Sequence, residues 1–220
     1  MVALGLQLRF RGSLRGLGWG FGGTRYWLAG YFVPILYALI TYLLIWASPL
    51  GDVDRDVFTR LGARWYLLGL GTVQSCLFAL GEEIGWRGFL VPRLARVYSF
   101  DKVAIGSGLI WATWHFPVIL FGGYSGGAPA WYSIVCFTVL VVGVSYFYTW
   151  ITLASGSVWP AMLLHGSHNL YIQGVLDRAT IDTGPTAYWT SEFGAGLAIA
   201  AVLVALVTRR LPRSTLPMGE

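Results

Sequence analysis

Charged residues are scarce in this chain. They make up 11% of its 220 positions, against 56% hydrophobic ones, and the mean hydropathy is +0.63. A typical soluble domain carries about 25% charged residues, so this chain cannot cover a water-facing surface. Acidic residues are absent before Asp52. Cysteine is reduced to Cys76 and Cys136, both inside apolar runs and not paired as CxxC. That excludes a cysteine metal site and leaves two small buried hydrophobes without electropositive neighbours. A His-Glu-x-x-His helix is missing. So are an internal repeat and the paired inverted halves with broken helices that mark many transporters. The net charge of +5 in so apolar a chain reflects loop bias rather than nucleic-acid binding.

What is present is a series of long apolar runs. A spanning helix needs about 20 mostly apolar residues. Six stretches approach that: 26–48, 65–79 continuing into an acidic motif, 103–121, 131–154, 158–176 and 193–207. The fifth is short and polar for a span, and Pro34 is placed to kink the first. The expected fold is an all-α polytopic membrane helix bundle of about six transmembrane helices. A basic tail or surface helix over 1–25 precedes a transmembrane catalytic domain over 26–208, and a basic tail follows over 209–220. The N-terminal segment lacks a clean cleavage site and reads as a retained signal anchor. With six spans, Arg9, Arg11, Arg15, Arg25, Arg93, Arg96, Lys102, Arg209, Arg210 and Arg213 fall on one side of the membrane. Arg55, Arg60, Arg64 and Arg178 fall on the other. The first side is the expected cytoplasmic one, with both termini inside.

Against this background Gly81-Glu82-Glu83-Ile84-Gly85-Trp86-Arg87-Gly88-Phe89 stands out. Ionisable residues in a membrane segment are costly and mark function by default. Glu83 and Arg87 are four apart and predict an ion pair on one helix face. Glu82 then points about 100° away without a local partner, and a buried carboxylate of this kind can act as a base near neutral pH. Gly81 and Gly85 are spaced to make room beside Glu82. His165 and Asn169 form a second pair four apart, able to present two N–H groups to one point; Trp111 and His115 form a third. The expected topology puts Glu82, His115, His165 and Asn169 in one layer, from three helices. The plainer reading is that membrane histidines and acids hydrogen-bond neighbouring helices as packing glue. It suits His168, which lies off the shared face.

The ordered motifs Glu82-Glu83-x-x-x-Arg87, Trp111-x-x-x-His115 and His165-x-x-x-Asn169 resemble the CPBP family of type II CAAX prenyl endopeptidases and bacteriocin-processing or immunity (Abi-type) membrane proteins. The flanking Gly81–Leu90 and Trp159–His165 stretches resemble bacterial members, and the likeness covers residues 64–176. One departure is Trp111, where the family pattern starts with Phe. Another is a single hydrophobic segment ahead of the first motif, where members often have more. The resemblance implies an intramembrane glutamic peptidase of a bacterial plasma membrane. Glu82 would be the general base, His115 would hold the water, and His165 and Asn169 would donate to the oxyanion. Glu83, Arg87 and Trp111 would support them, with no cofactor and no metal. Its partners would be the lipid bilayer and a peptide or protein substrate, prenylated or membrane-anchored. A carboxylate base needs an apolar pocket and an oxyanion needs donors about 3 Å away. The hydrolytic water calls for a polar cavity, expected to open on the cytoplasmic face. Two alternatives stay open: a zinc protease with Glu82, His115 and His165 as ligands around an open position, and a non-enzymatic scaffold or immunity protein.

Overall fold

A computed structural model describes residues 2–212, apart from the side chains at 2, 3 and 11; from Arg213 onward the expected basic tail lies outside the described residues. The chain is mostly helical. The helices are α1 (Val2–Arg11), α2 (Thr24–Trp46), α3 (Arg55–Ala63), α4 (Tyr66–Glu83), α5 (Val91–Leu94), α6 (Phe100–Phe121), α7 (Ala130–Ser155), α8 (Trp159–Asn169) and α9 (Ala195–Thr208). Two π-helical stretches, π1 (Ile84–Leu90) and π2 (Leu170–Leu176), continue α4 and α8. A two-residue antiparallel pairing of Asp52–Val53 with Thr180–Ile181 is a small exception to the all-α expectation, and it ties two connecting segments together.

Among the described residues four helical segments are long and apolar enough to cross a membrane: Thr24–Trp46, Tyr66–Leu94, Phe100–Phe121 and Ala130–Ser155. Two more helical segments stand where a fifth and a sixth span were expected: α8 with π2 runs on over residues 159–176 but is polar for a span, and α9 is short. The 14 residues of α9 reach about 21 Å, against a hydrocarbon core of about 30 Å. The exposed Leu28, Phe32, Leu36, Leu70, Leu77, Phe78, Leu203 and Val207 would have no place in water. This is an integral membrane protein.

Of the four long apolar segments α7 is the most enclosed, and α6 and α9 pack along it. Small residues set the approach, as is usual where helices associate in lipid. A Cβ on Gly108 would lie 2.8 Å from the Val142 Cα, and one on Gly143 would lie 2.7 Å from Ala201. Helix α8 fits between α2 and α4 by the same device. A Cβ on Gly166 would meet the Cys76 Sγ at 2.6 Å and its backbone nitrogen at 2.8 Å. Both cysteines are buried free thiols. Helix α2 runs unbroken through Pro34.

Residues 12–23 form a strap rather than a loose tail. Leu17 is fully buried, and its carbonyl would sit 3.0 Å from a Cβ on Gly88. The Val158 N–H donates to the Gly18 carbonyl at 2.8 Å, and the Trp159 indole to that of Trp19 at 2.9 Å. Gln7 of α1 donates to the Arg15 carbonyl at 2.6 Å and accepts from Arg93. The strap therefore crosses the ends of π1 and α8. At the opposite end of the bundle, residues 177–194 fold back over the helices.

Candidate active site

Both acids come from the last turn of α4, where the helix passes into π1. Pro92 has no N–H to give the Gly88 carbonyl, so one α-helical bond is missing at the end of π1. A π-helical turn, with its i→i+5 bonds, is a frequent companion of functional sites. Within this junction the Arg87 Nη1 donates to the Glu83 Oε1 at 2.9 Å, and both side chains are fully buried. The predicted i,i+4 pair is present. Arg87 lies between two rings, 4.2 Å from the centroid of Trp111 and 3.9 Å from that of Tyr148.

Glu82 turns the other way and is half-buried. Its Oε2 accepts from the Trp111 indole at 3.1 Å, and more distantly from the Trp86 indole at 3.4 Å. Gly81 is exposed and a Cβ on it would meet nothing within 4 Å, so this glycine is not what makes room for Glu82. The departure Trp111 therefore does more than keep an aromatic: it supplies a donor that Phe lacks.

His115 and His165 face the same cavity as Glu82. The His115 Nδ1 lies 2.9 Å from the Trp111 carbonyl. A carbonyl only accepts, so Nδ1 carries the proton and a neutral ring leaves a lone pair on Nε2. The His165 Nδ1 lies 2.9 Å from the Glu83 Oε1 and by the same reasoning donates to it. His165 is thus held by Glu83, a partner that spacing alone did not suggest. Asn169, half-buried, follows one turn later. Glu82, Trp111, His115, His165 and Asn169 all line one cavity of about 300 Å³. The expected constellation is brought together, while Glu83 and Arg87 sit behind it.

The far end of the cavity holds a second acid–histidine pair. The His168 Nε2 lies 2.9 Å from the Glu192 Oε1, and its Nδ1 bonds the Tyr37 hydroxyl. The Glu192 Oε2 accepts from the Gln173 Nε2 at 2.9 Å and from the Tyr124 hydroxyl. Burial pushes the Glu192 carboxyl up, but the hydrogen bond and charge of His168, with the Tyr124 hydroxyl, outweigh it and hold it below the usual range. His168 does bond its neighbours, as the packing reading expects, yet it also lines the cavity. Nothing in the motif spacing pointed to Glu192, which lies in a loop between the last two helices. The cavity reaches Tyr124 and Glu192 at the loop end, opposite the strap.

Among the described residues no three His, Cys, Asp or Glu side chains converge closely enough to hold a metal ion. Glu82, His115 and His165 share the cavity without forming such a group.

Residues 64–171 match the family model for type II CAAX prenyl endopeptidase Rce1-like proteins. A "CAAX prenyl protease 2" of Methanococcus maripaludis is 33% identical over 117 residues, 49% of this chain and 42% of that protein. The chain thus spans less than half the length of the relative it matches. That relative is archaeal and lends no support to a bacterial membrane. All three motifs fall inside the matched residues, while Tyr37, Gln173 and Glu192 fall outside. The buried Glu83–Arg87 pair, Glu82 at the cavity wall and the two motif histidines facing it are what those matched residues build, and over that stretch the two matches support assignment to the type II CAAX prenyl endopeptidase (CPBP) family.

Proposed function

We propose that this protein is an intramembrane endopeptidase that hydrolyses a peptide bond with a water activated by Glu82. The observation that carries this is the division of labour between adjacent acids. Glu83 is committed to Arg87 and His165, while Glu82 faces an open cavity with one oxygen held by indole N–H groups. Its other oxygen has room to take a proton from water, and the His115 Nε2 lone pair can accept the water's second hydrogen. Attack of that water on the scissile carbonyl places the oxyanion towards Asn169 and His165. Because the His165 Nδ1 is taken up by Glu83, donation to the oxyanion falls to its Nε2. The substrate is a peptide or protein held in the membrane, prenylated or otherwise anchored, as the name of the archaeal relative suggests.

The test is cleavage of prenylated and unprenylated membrane-anchored peptides by the purified protein in detergent, with chelator present. Removing a general base costs about 10²–10⁴-fold. Glu82→Gln is expected to lose at least that much while eluting and melting like the wild type. Equal cleavage by both proteins would remove Glu82 from the mechanism. Cleavage abolished by chelator and restored by zinc would establish the metal alternative. A wild-type protein that is folded and inactive on every peptide would favour the scaffold.

A further inference from the structure

A second cavity of about 440 Å³ adjoins the first on the loop side. The two share three lining side chains, Tyr124, Gln173 and Glu192. These are hydrogen-bonded to one another: Tyr124 donates to Glu192, and the Gln173 Nε2 reaches Glu192 at 2.9 Å and the Tyr124 oxygen at 3.3 Å. They come from three separate elements, namely the 122–129 loop, π2 and the 177–194 segment. The outer cavity is polar, with Ser125, Asp177, Thr186, Thr190 and Ser191 in its wall. The opposite end of the first cavity is closed. Behind His165 lie the buried Glu83 and Arg87, then Gly88 against the Leu17 carbonyl of the strap.

The geometry points to Tyr124, Gln173 and Glu192 as the gate of a polar passage that brings water to Glu82 from the loop side of the bundle. A hydrolase inside a membrane needs such a supply, so the proposal rests on the peptidase reading. A gate of mutually bonded side chains suits the task. Water can exchange into hydrogen bonds of this kind at little enthalpic cost, whereas bulkier solutes stay out. The partners of Glu192 also make the gate depend on how the 177–194 segment is seated.

The passage can be tested without any cleavage assay. In full-length protein with Cys76 and Cys136 changed to Ala, a single cysteine is placed in the inner cavity by Val141→Cys. Its reaction rate with a charged, water-soluble methanethiosulfonate is then measured. Gln173→Ala should open the gate and speed the reaction at least tenfold. Adding Ser125→Trp or Ala187→Trp, both in the outer cavity, should reverse that gain; two plugs guard against one that misfolds. A rate at position 141 that ignores both Gln173 and the plugs would overturn the passage, even if the protein cleaves peptides. Gated labelling in a protein that cleaves nothing would leave the passage standing and remove the peptidase reading.

Discussion

At the scale of single residues, Trp111 performs two tasks that Phe would divide. Its indole N–H holds Glu82 and its face covers the Arg87 guanidinium. A hydrogen bond to a charged group is worth about 1.5–3 kcal/mol. Trp111→Phe keeps a ring over Arg87 and should lower kcat about 10–100-fold with little change in the thermal midpoint. An unchanged kcat would show that the indole does not position the acid. Arg87 calls for a different measurement. Removing one member of a buried ion pair costs about 3–5 kcal/mol, because the other charge is left uncompensated. Arg87→Met should therefore show its main effect in equilibrium unfolding, and should cost far more than the Glu83→Gln, Arg87→Met double change. The Glu83–Arg87 pair was legible from i,i+4 spacing alone. The bond from His165 to Glu83 joins residues from two distant helices, and the one from Glu192 to His168 spans a loop. No periodicity encodes either.

At the scale of elements, the long helices could be read from hydropathy because lipid demands continuous apolar runs. The π-helical turns could not, since a 100° period assumes α geometry throughout. Pro92 removes one α-helical bond at the end of π1, and π2 has no proline near it, so no single residue explains both turns. The packing of α8 against α4 was equally hidden, because it depends on Gly166 meeting the backbone of Cys76. Gly166→Ala should destabilise the protein by about 1–3 kcal/mol through overpacking, and it should displace the turn bearing His165. Cys76→Ala removes the sulfur but leaves the Cys76 backbone nitrogen 2.8 Å from the new Cβ. It should not rescue Gly166→Ala in thermal melts. Full rescue would mean that the sulfur alone limits the approach.

At the scale of the whole molecule, two segments without long apolar runs close the ends of the bundle. Such segments carry no periodic signal, and their partners lie far away in sequence. That is why hydropathy and motif spacing say nothing of the strap over 12–23 or the fold-back over 177–194. The fold-back is seated by the Tyr42 hydroxyl, which donates to Asp177 and accepts from the Ser191 N–H at 2.9 Å. Burial lifts the Asp177 carboxyl from 3.8 to about 7; the nearby Glu192 charge adds to this, and the Tyr42 hydrogen bond opposes it. The folded protein therefore keeps a proton that the unfolded chain has released. Stability from this group falls as pH rises from about 4 to about 7, and the carboxylate formed above that faces Glu192. Backbone deuterium exchange over 180–191, corrected for the intrinsic rate and referred to α7, should accelerate between about pH 4 and about pH 7 and level off above that. Asp177→Asn keeps an acceptor for Tyr42 but cannot ionise, so it should flatten that response. The same acceleration in both proteins would assign it to another group and detach Asp177 from the seating of the segment that carries Glu192.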